Sequence, residues 1–242
     1  MEHLSTVLKP GGMNSRANLT VFRSYTEKTV SKISAKNNYY PVFLNIGGKL
    51  CIVVGGGTVA EQKVKILLKF NTRIKVISPA MTNNLSTLSQ KGKIETILRE
   101  YRDGDLGGAV LVFAATSKKE INEAIKKEAL KGHIPVNVVD DPDLCDFIVP
   151  SIVKKKSIII AISTSGTLPL LSKKLRKDIG NLVSQDYLVY AEKIGKLRRL
   201  LIESIHDKKR RKAILAEISK TGVKELAGMD TKAIKNKFLK NL

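Results

Sequence analysis

Residues 51–63 read Cys-Ile-Val-Val-Gly-Gly-Gly-Thr-Val-Ala-Glu-Gln-Lys. A short apolar, largely β-branched run breaks into three glycines, and a helix-compatible stretch follows. This is the layout of a dinucleotide-binding turn, G-x-G-x-x-A, with Gly55, Gly57 and Ala60 at the defining positions. Gly55 permits the tight exit from the strand. Gly57 carries no side chain, so a pyrophosphate can approach the backbone. Ala60 is small enough for the helix to pack closely on the strand. The unpaired N–H groups of the first helical turn then face the anion. The turn points to chemistry with a bound nicotinamide or flavin nucleotide.

Working outward, the same alternation continues. Leu50–Val54 reads as the first buried strand. Residues 58–70 read as a helix whose apolar side is Val59, Val64, Ile66, Leu67 and Leu68. Arg73–Ile77 is a second parallel strand stopped by Ser78-Pro79. Residues 85–91 suggest a short helix, 94–99 a strand, 109–114 (AVLVFA) a continuous apolar strand, 120–130 a helix and 135–139 a further strand. Runs that are apolar throughout are expected where helices cover both faces of a parallel sheet. Strand and helix alternating through residues 50–140 predict an α/β fold with a doubly wound parallel sheet. Upstream, 42–46 reads as a short strand with Gly47-Gly48 turning into the next. Downstream the pattern changes. Residues 147–154 and 157–163 are β-rich with no helix between them, as in a hairpin or an exchanged ribbon. Beyond them the chain is almost wholly helical. Thr167 is placed to cap a helix in which Pro169 occupies an early position. Leu182, Leu188, Val189, Ile194, Leu197, Leu200 and Leu201 recur at helical spacing, as core or interface.

Composition bounds what this fold can do. The chain has 242 residues and is 43% hydrophobic, enough for one or two domains with a proper core. No apolar run approaches the ~20 residues that span a bilayer. Cys51 and Cys145 form no C-x-x-C pair, and Cys51 reads as a small core residue. Three scattered histidines make no zinc pattern, so no preformed metal site is expected. The formal net charge of +21 is the compositional oddity. It suits a polyanion (nucleic acid, an anionic membrane or a polycarboxylate) or a merely solvated lysine-rich surface, and charge alone does not choose. Residues 1–38 are polar and read as a poorly ordered extension, either a plain tail or a transit-like segment; a secretory apolar core is not found among them, and a cytoplasmic location is expected.

Several motifs stand in fixed order: Tyr40-Pro41-Val42-Phe43-Leu44, VVGGGTVAEQKV at 53–64, FAATSKKEIN at 113–122, NVVDDPDLCDFIVPSIV at 137–153 and AISTSGTLPLLSKKLR at 161–176. This series resembles the siroheme synthase family, whose members carry precorrin-2 dehydrogenase activity and, in some cases, sirohydrochlorin ferrochelatase activity. The match runs over about residues 39–200. The glycine turn alone is weak, since many dinucleotide-binding domains carry it; the NVVD segment followed by FIVPS and by Ser-Thr-Ser-Gly-Thr-x-Pro is far more specific. The resemblance implies a Rossmann domain over 39–146, a β-ribbon dimerisation region over 147–183 and a helical C-terminal region over 184–242. The methyltransferase domain of some members is expected to be absent from a chain of this length.

The resemblance also implies roles. The substrate is a tetrapyrrole with eight carboxylates, precorrin-2, converted to sirohydrochlorin, with ferrous iron a further substrate if the chelatase activity is present. The cofactor is NAD. Asp140, closing the NVVD strand at the carboxyl edge of the sheet, is the catalytic acid or base, or orients the ring; the plainer alternative is that it only opens the Asp-Asp-Pro turn. Gly55, Gly57, Thr58 and Val59 are expected around the pyrophosphate, with Ala115 and Thr116 beside the nicotinamide half. Asn137 either lines the same crevice or makes a structural hydrogen bond. Ser78 stands where an NAD-binding strand normally ends in Asp or Glu, so Ser78 and backbone are expected to take the ribose; no arginine follows closely, which favours NAD over NADP. Ser163, Thr164, Ser165 and Gly166 correspond to the family's loop facing the tetrapyrrole, although Ser165 replaces a frequent glycine and would resist a positive φ. Lys173 and Lys174, with Arg176, either pair with substrate carboxylates or form a solvated helix face. The expected partners are therefore small molecules and a second copy of the chain, with neither nucleic acid nor membrane. The competing class is an NAD-sensing regulator that touches nucleic acid through the basic run at 208–212. It lacks a base-reading helix pair and leaves the NVVD–FIVPS segment unexplained.

Overall fold

The computed structural model describes residues 39–238, which fall into two compact units divided between Ile148 and Val149. The first unit is a five-stranded parallel sheet. β1 (Leu50–Val54) leads into α1 (Thr58–Leu67), which tightens into a 3-10 turn (Leu68–Phe70) before β2 (Arg73–Ile77). Then come α2 (Asn83–Gln90), β3 (Glu95–Ile97), β4 (Leu111–Ala114), α3 (Lys119–Lys131) and β5 (Val136–Val138). The strands lie in the order β3-β2-β1-β4-β5. β1 is central, with Val53 opposite Val76 on β2 and Phe113 on β4. The chain winds outward from β1 to β3 and then crosses to β4, so the switch point falls beside the glycine turn, where sheets of this kind bind ligands.

Alternation along the strands builds two faces. Ile52, Val54, Val112, Ala114, Val136 and Val138 share one buried cluster with Ile125 and Ala129 of α3. Cys51, Val53 and Phe113 have the opposite parity, and the Phe113 ring meets Phe147 edge-on at 5.5 Å between centroids. β4 is buried at all four positions, as its unbroken apolar run requires. Cys51 is fully buried, and that burial pushes its thiol up to about 11.

The second unit starts with an antiparallel hairpin, β6 (Ser151–Lys155) and β7 (Ile158–Ile162), in register from Ser151–Ile162 to Lys155–Ile158. α4 (Pro169–Leu182) packs on it. α5 (Gln185–Ser204), α6 (Lys208–Ser219), α7 (Val223–Gly228) and α8 (Thr231–Phe238) follow. Leu197, Leu201, Ile205, Ile218, Leu226 and Ile234 form their common core. Several cations are used to close helices. The Lys155 ammonium donates to the carbonyls of Gly180 and Val183, Lys193 donates to those of Ala227 and Met229, and Arg211, inside the basic run, donates to those of Ile205 and His206. Helix C-termini carry unsatisfied carbonyls and partial negative charge, so each contact is electrostatically favourable for the cation that makes it.

Three expectations are corrected. Residues 42–46 are not a strand: Tyr40, Val42, Phe43 and Leu44 lie in exposed, irregular chain. Their β-propensity finds no neighbouring strand to pair with, and propensity of this kind is realised only through neighbours. Leu168, not Thr167, occupies the N-cap position of α4, with no side-chain capping bond; the Thr167 hydroxyl instead donates to the Thr164 carbonyl at 2.6 Å. The third concerns Asn137 and belongs to the site below. Of the helical leucine series read as core or interface, Leu197 and Leu201 are buried in the core while Leu182 and Leu200 are exposed. The extension read over 1–38 lies outside the described residues. Among the described residues no helix is long and apolar enough to cross a membrane.

Candidate active site

The carboxyl ends of the first unit's strands enclose an open crevice of about 870 Å3. Its floor is the glycine turn. Gly55 takes φ +121°, and a Cβ there would sit 2.3 Å from the Ala115 carbonyl oxygen. Gly55→Ala is therefore expected to destabilise the unit by more than about 2 kcal/mol, through both backbone strain and overlap; a denaturant melt measures it. Gly56, the middle glycine, was not singled out by the motif, yet a Cβ there would lie 1.9 Å from the Ala80 carbonyl oxygen. It is required because the loop after β2 crosses directly over it. Gly57 is the opposite case. It is the N-cap of α1, its backbone is extended, and nothing lies within 4 Å of an added Cβ. Open space above N–H groups at a helix start is the form of a pyrophosphate cradle. The residues present thus fit a dinucleotide.

Thr58 and Val59 border this floor, Val59 with its apolar side chain exposed to the crevice. Ser78 and Ala115 also line it. The Ser78 hydroxyl donates to the Ala80 carbonyl at 2.7 Å, so its proton shapes the loop. Thr116 lines the crevice as well, locked to α3: its hydroxyl bonds Asn122 Oδ1 at 2.8 Å while Asn122 Nδ2 donates to the Thr116 carbonyl.

Glu61, which the glycine-turn reading passed over, fastens the loop after β2. Its carboxylate accepts from the Thr82 hydroxyl at 2.6 Å, from Asn84 Nδ2 at 2.9 Å and from Lys65. An acidic residue in a first helical turn is ordinary, and that hid its role. The Lys65 and Thr82 hydrogen bonds hold its carboxyl down to about 2. A carboxyl lowered on folding stabilises the native state above its unfolded value near 4.5, and that contribution is lost as pH falls toward 2. Thermal melts between pH 5 and pH 2 are expected to show a steeper loss of stability for the parent chain than for Glu61→Gln.

Asp140 stands across the crevice at the end of β5, exposed, with φ +61°. Asp is among the residues that tolerate this left-handed conformation. The turn is tied on both sides. Val139 N–H donates to the Ala114 carbonyl at 2.9 Å, and the Cys145 sulfur lies 3.1–3.2 Å from the Val138 N–H and carbonyl and from the Asp141 carbonyl. Burial raises the Cys145 thiol, keeping it a neutral donor. Behind this turn sits half-buried Lys63, 5.5 Å from the Phe113 ring centroid. Burial lowers its ammonium, while the nearby Cys145 and Asp140 favour its charged form.

Asn137 does not line the crevice. It is one step out of phase with Val136 and Val138 and points to the other side of the sheet, where Nδ2 donates to the Phe147 carbonyl at 3.0 Å and Oδ1 accepts from Lys63 at 3.4 Å. Period-two alternation places every second residue of a strand on the opposite face, and the structural alternative holds. Ser163, Thr164, Ser165 and Gly166 sit together on the second unit, in the turn between β7 and α4. Ser165 adopts φ +51° although it is not glycine, and its N–H donates to Ser163 Oγ at 2.9 Å, which supports the turn. Lys173 and Lys174 follow on the exposed surface of α4.

A family described as "Putative NAD(P)-binding" matches residues 42–151. The siroheme synthase of Nitrosomonas europaea is 42% identical over 176 residues, 72% of this chain and 37% of that protein. The siroheme synthase of Methylobacillus flagellatus is 42% identical over 147 residues, 61% of this chain and 32% of that protein. The chain is a siroheme synthase homologue. It spans about a third of the length of these curated relatives. Among solved structures it is similar to SirC, a precorrin-2 dehydrogenase, with a TM-score of 0.67 at 25% identity, covering 84% of this chain and 98% of that one. In this siroheme synthase homologue both the glycine cradle and Asp140 lie inside the matched segment.

Proposed function

We propose that the chain is an NAD-dependent precorrin-2 dehydrogenase that forms sirohydrochlorin. The observation that carries the reading is the pairing, in one crevice, of an open glycine cradle at Gly57 with an exposed carboxylate held across from it at Asp140. Gly55, Gly57, Thr58 and Val59 would hold the pyrophosphate, Ser78 the adenosine side, and Ala115 and Thr116 the nicotinamide side. Bound NAD supplies the hydride acceptor. Two hydrogens leave precorrin-2, one as hydride and one as a proton. Asp140 Oδ would take that proton or hold the macrocycle edge, and the clamp on Val138 and Asp141 would hold the turn that carries it. Precorrin-2 carries eight carboxylates, so an excess of cations suits it. The loop at 163–166 and Lys173 and Lys174 are its proposed contacts, and the hairpin region at 147–183 is the proposed seat of a homodimer, with Leu168, Leu170 and Leu171 exposed within it. The unpaired thiols of Cys51 and Cys145 suit a reducing cytoplasm.

The test is an anaerobic mixture of protein, precorrin-2 and NAD, followed by absorbance. Conversion to the sirohydrochlorin spectrum with stoichiometric NADH supports the reading, and an unchanged spectrum overturns it. Ferrous iron added to the same sample reads the second activity: consumption of sirohydrochlorin would make iron a substrate as well.

A further inference from the structure

β2 ends without an acid. In a dinucleotide-binding sheet, an Asp or Glu about 20 residues beyond the glycines takes the adenosine ribose. Here that place is Ser78, whose hydroxyl proton is committed to Ala80. The neighbouring strand offers a replacement. β3 runs parallel to β2 with Ile97 opposite Ile77, and Ser78 N–H donates to the Ile97 carbonyl. The chain leaving β3 therefore emerges at the same edge as Ser78, and three residues on, Glu100 lines the crevice.

The segment around Glu100 is fastened on each side. Arg99 forms a two-pronged ion pair with Asp105, both contacts at 2.7 Å, and also donates to the Glu100 carbonyl at 2.9 Å. Tyr101 donates its hydroxyl to Glu128 of α3, and that carboxylate also accepts from the Gly104 and Leu106 N–H groups. Burial and the Glu128 carboxylate hold the Tyr101 phenol well above its usual range, so it stays a donor. Between these anchors the Glu100 carboxylate reaches Lys118, which also lines the crevice, at the start of α3. Lys118 is the kind of cation that would attract a 2′-phosphate. Paired with Glu100, its charge is offset.

We infer that Glu100 is the specificity-determining residue for the dinucleotide, accepting the adenosine ribose hydroxyls and excluding a 2′-phosphate both by its own charge and by occupying Lys118. This rests on the cofactor reading above and adds to it which residue selects NAD over NADP. A carboxylate on a ribose hydroxyl makes a charge-assisted hydrogen bond, while the same carboxylate against a phosphate is a like-charge contact.

The experiment is calorimetric titration of the full chain with NAD+ and, separately, NADP+, for the parent, Glu100→Gln and Lys118→Met. The parent is expected to prefer NAD+. Glu100→Gln is expected to reduce the ratio of NAD+ to NADP+ affinity by about tenfold or more, weakening the first and strengthening the second as Lys118 is released. Lys118→Met keeps the carboxylate and is expected to retain the preference. Should the parent bind neither nucleotide, the cofactor reading itself fails. If the parent binds NAD+ preferentially and folded Glu100→Gln keeps the parental ratio, or if Lys118→Met loses the preference as fully as Glu100→Gln does, the role of Glu100 is overturned while the cofactor reading stands.

Discussion

Asp140→Ala lowers the rate of precorrin-2 dehydrogenation by at least ~100-fold while NAD+ affinity stays within about twofold, the pattern expected when acid–base help is lost and cofactor binding is not. The separation follows from geometry. Asp140 lies on the turn after β5, and the glycine cradle lies on the turn after β1, so the two sides of the crevice are built from different loops. The variant is also expected to fold. Asp140 is exposed, the bonds that hold its turn run through Val139, Cys145 and the backbone of Val138 and Asp141, and the side chain contributes none of them. The φ of +61° does carry a cost for alanine, about 1 kcal/mol, which a thermal melt separates from the kinetic effect. Asp140→Asn distinguishes the two assignments within this role. It keeps the shape and one acceptor oxygen but loses the charge and cannot take a proton at neutral pH. A rate close to that of the alanine variant identifies proton transfer, whereas substantial recovery identifies orientation of the macrocycle. A parental rate in Asp140→Ala would remove Asp140 from the reaction.

Gly57→Asp has the converse signature. Nothing lies within 4 Å of an added Cβ, and the backbone is already extended at an N-cap, where Asp is a preferred residue. The substitution is therefore expected to leave thermal stability unchanged or slightly raised. NAD+ binding should nevertheless weaken by at least ~100-fold, because the side chain fills the cradle and its charge opposes the pyrophosphate. Stability and affinity thus move independently; a loss of binding through misfolding would show in the melt. Titration calorimetry and a melt on the same preparation check both. Unchanged affinity would mean that the dinucleotide does not lie on this turn. The contrast with Gly55 and Gly56, where a Cβ would overlap backbone, separates glycines that the protein needs from the one that the ligand needs.

Much of the first unit is legible in the sequence. Leu50–Val54 and Arg73–Ile77 are strands at the bounds expected, and the bounds of 85–91, 94–99, 109–114, 120–130 and 135–139 shift by at most two residues. These segments bury one or both faces, so their apolar period is dictated by the sheet and shows in the residues. The 42–46 run misled because β-branched and aromatic residues describe a capacity to pair, and the partner is a tertiary matter. Asn137 had two readings because alternation sets it on the face opposite to Val136 and Val138 without saying which face borders the crevice.

The local chain determined the glycine turn, the order of strands and helices, and Asp140 at a strand end, since each follows from steric and periodic rules acting over a few residues. Tertiary structure decided what no local rule contains: that Gly56 passes beneath the Ala80 carbonyl, that Glu61 fastens the loop after β2, that Asn137 faces away from the crevice, and that Glu100 and Lys118, 18 residues apart, meet across it. The reason is physical. Contacts between loops are fixed by how the strands stack in the sheet, and that order joins residues whose separation along the chain carries no periodic signal.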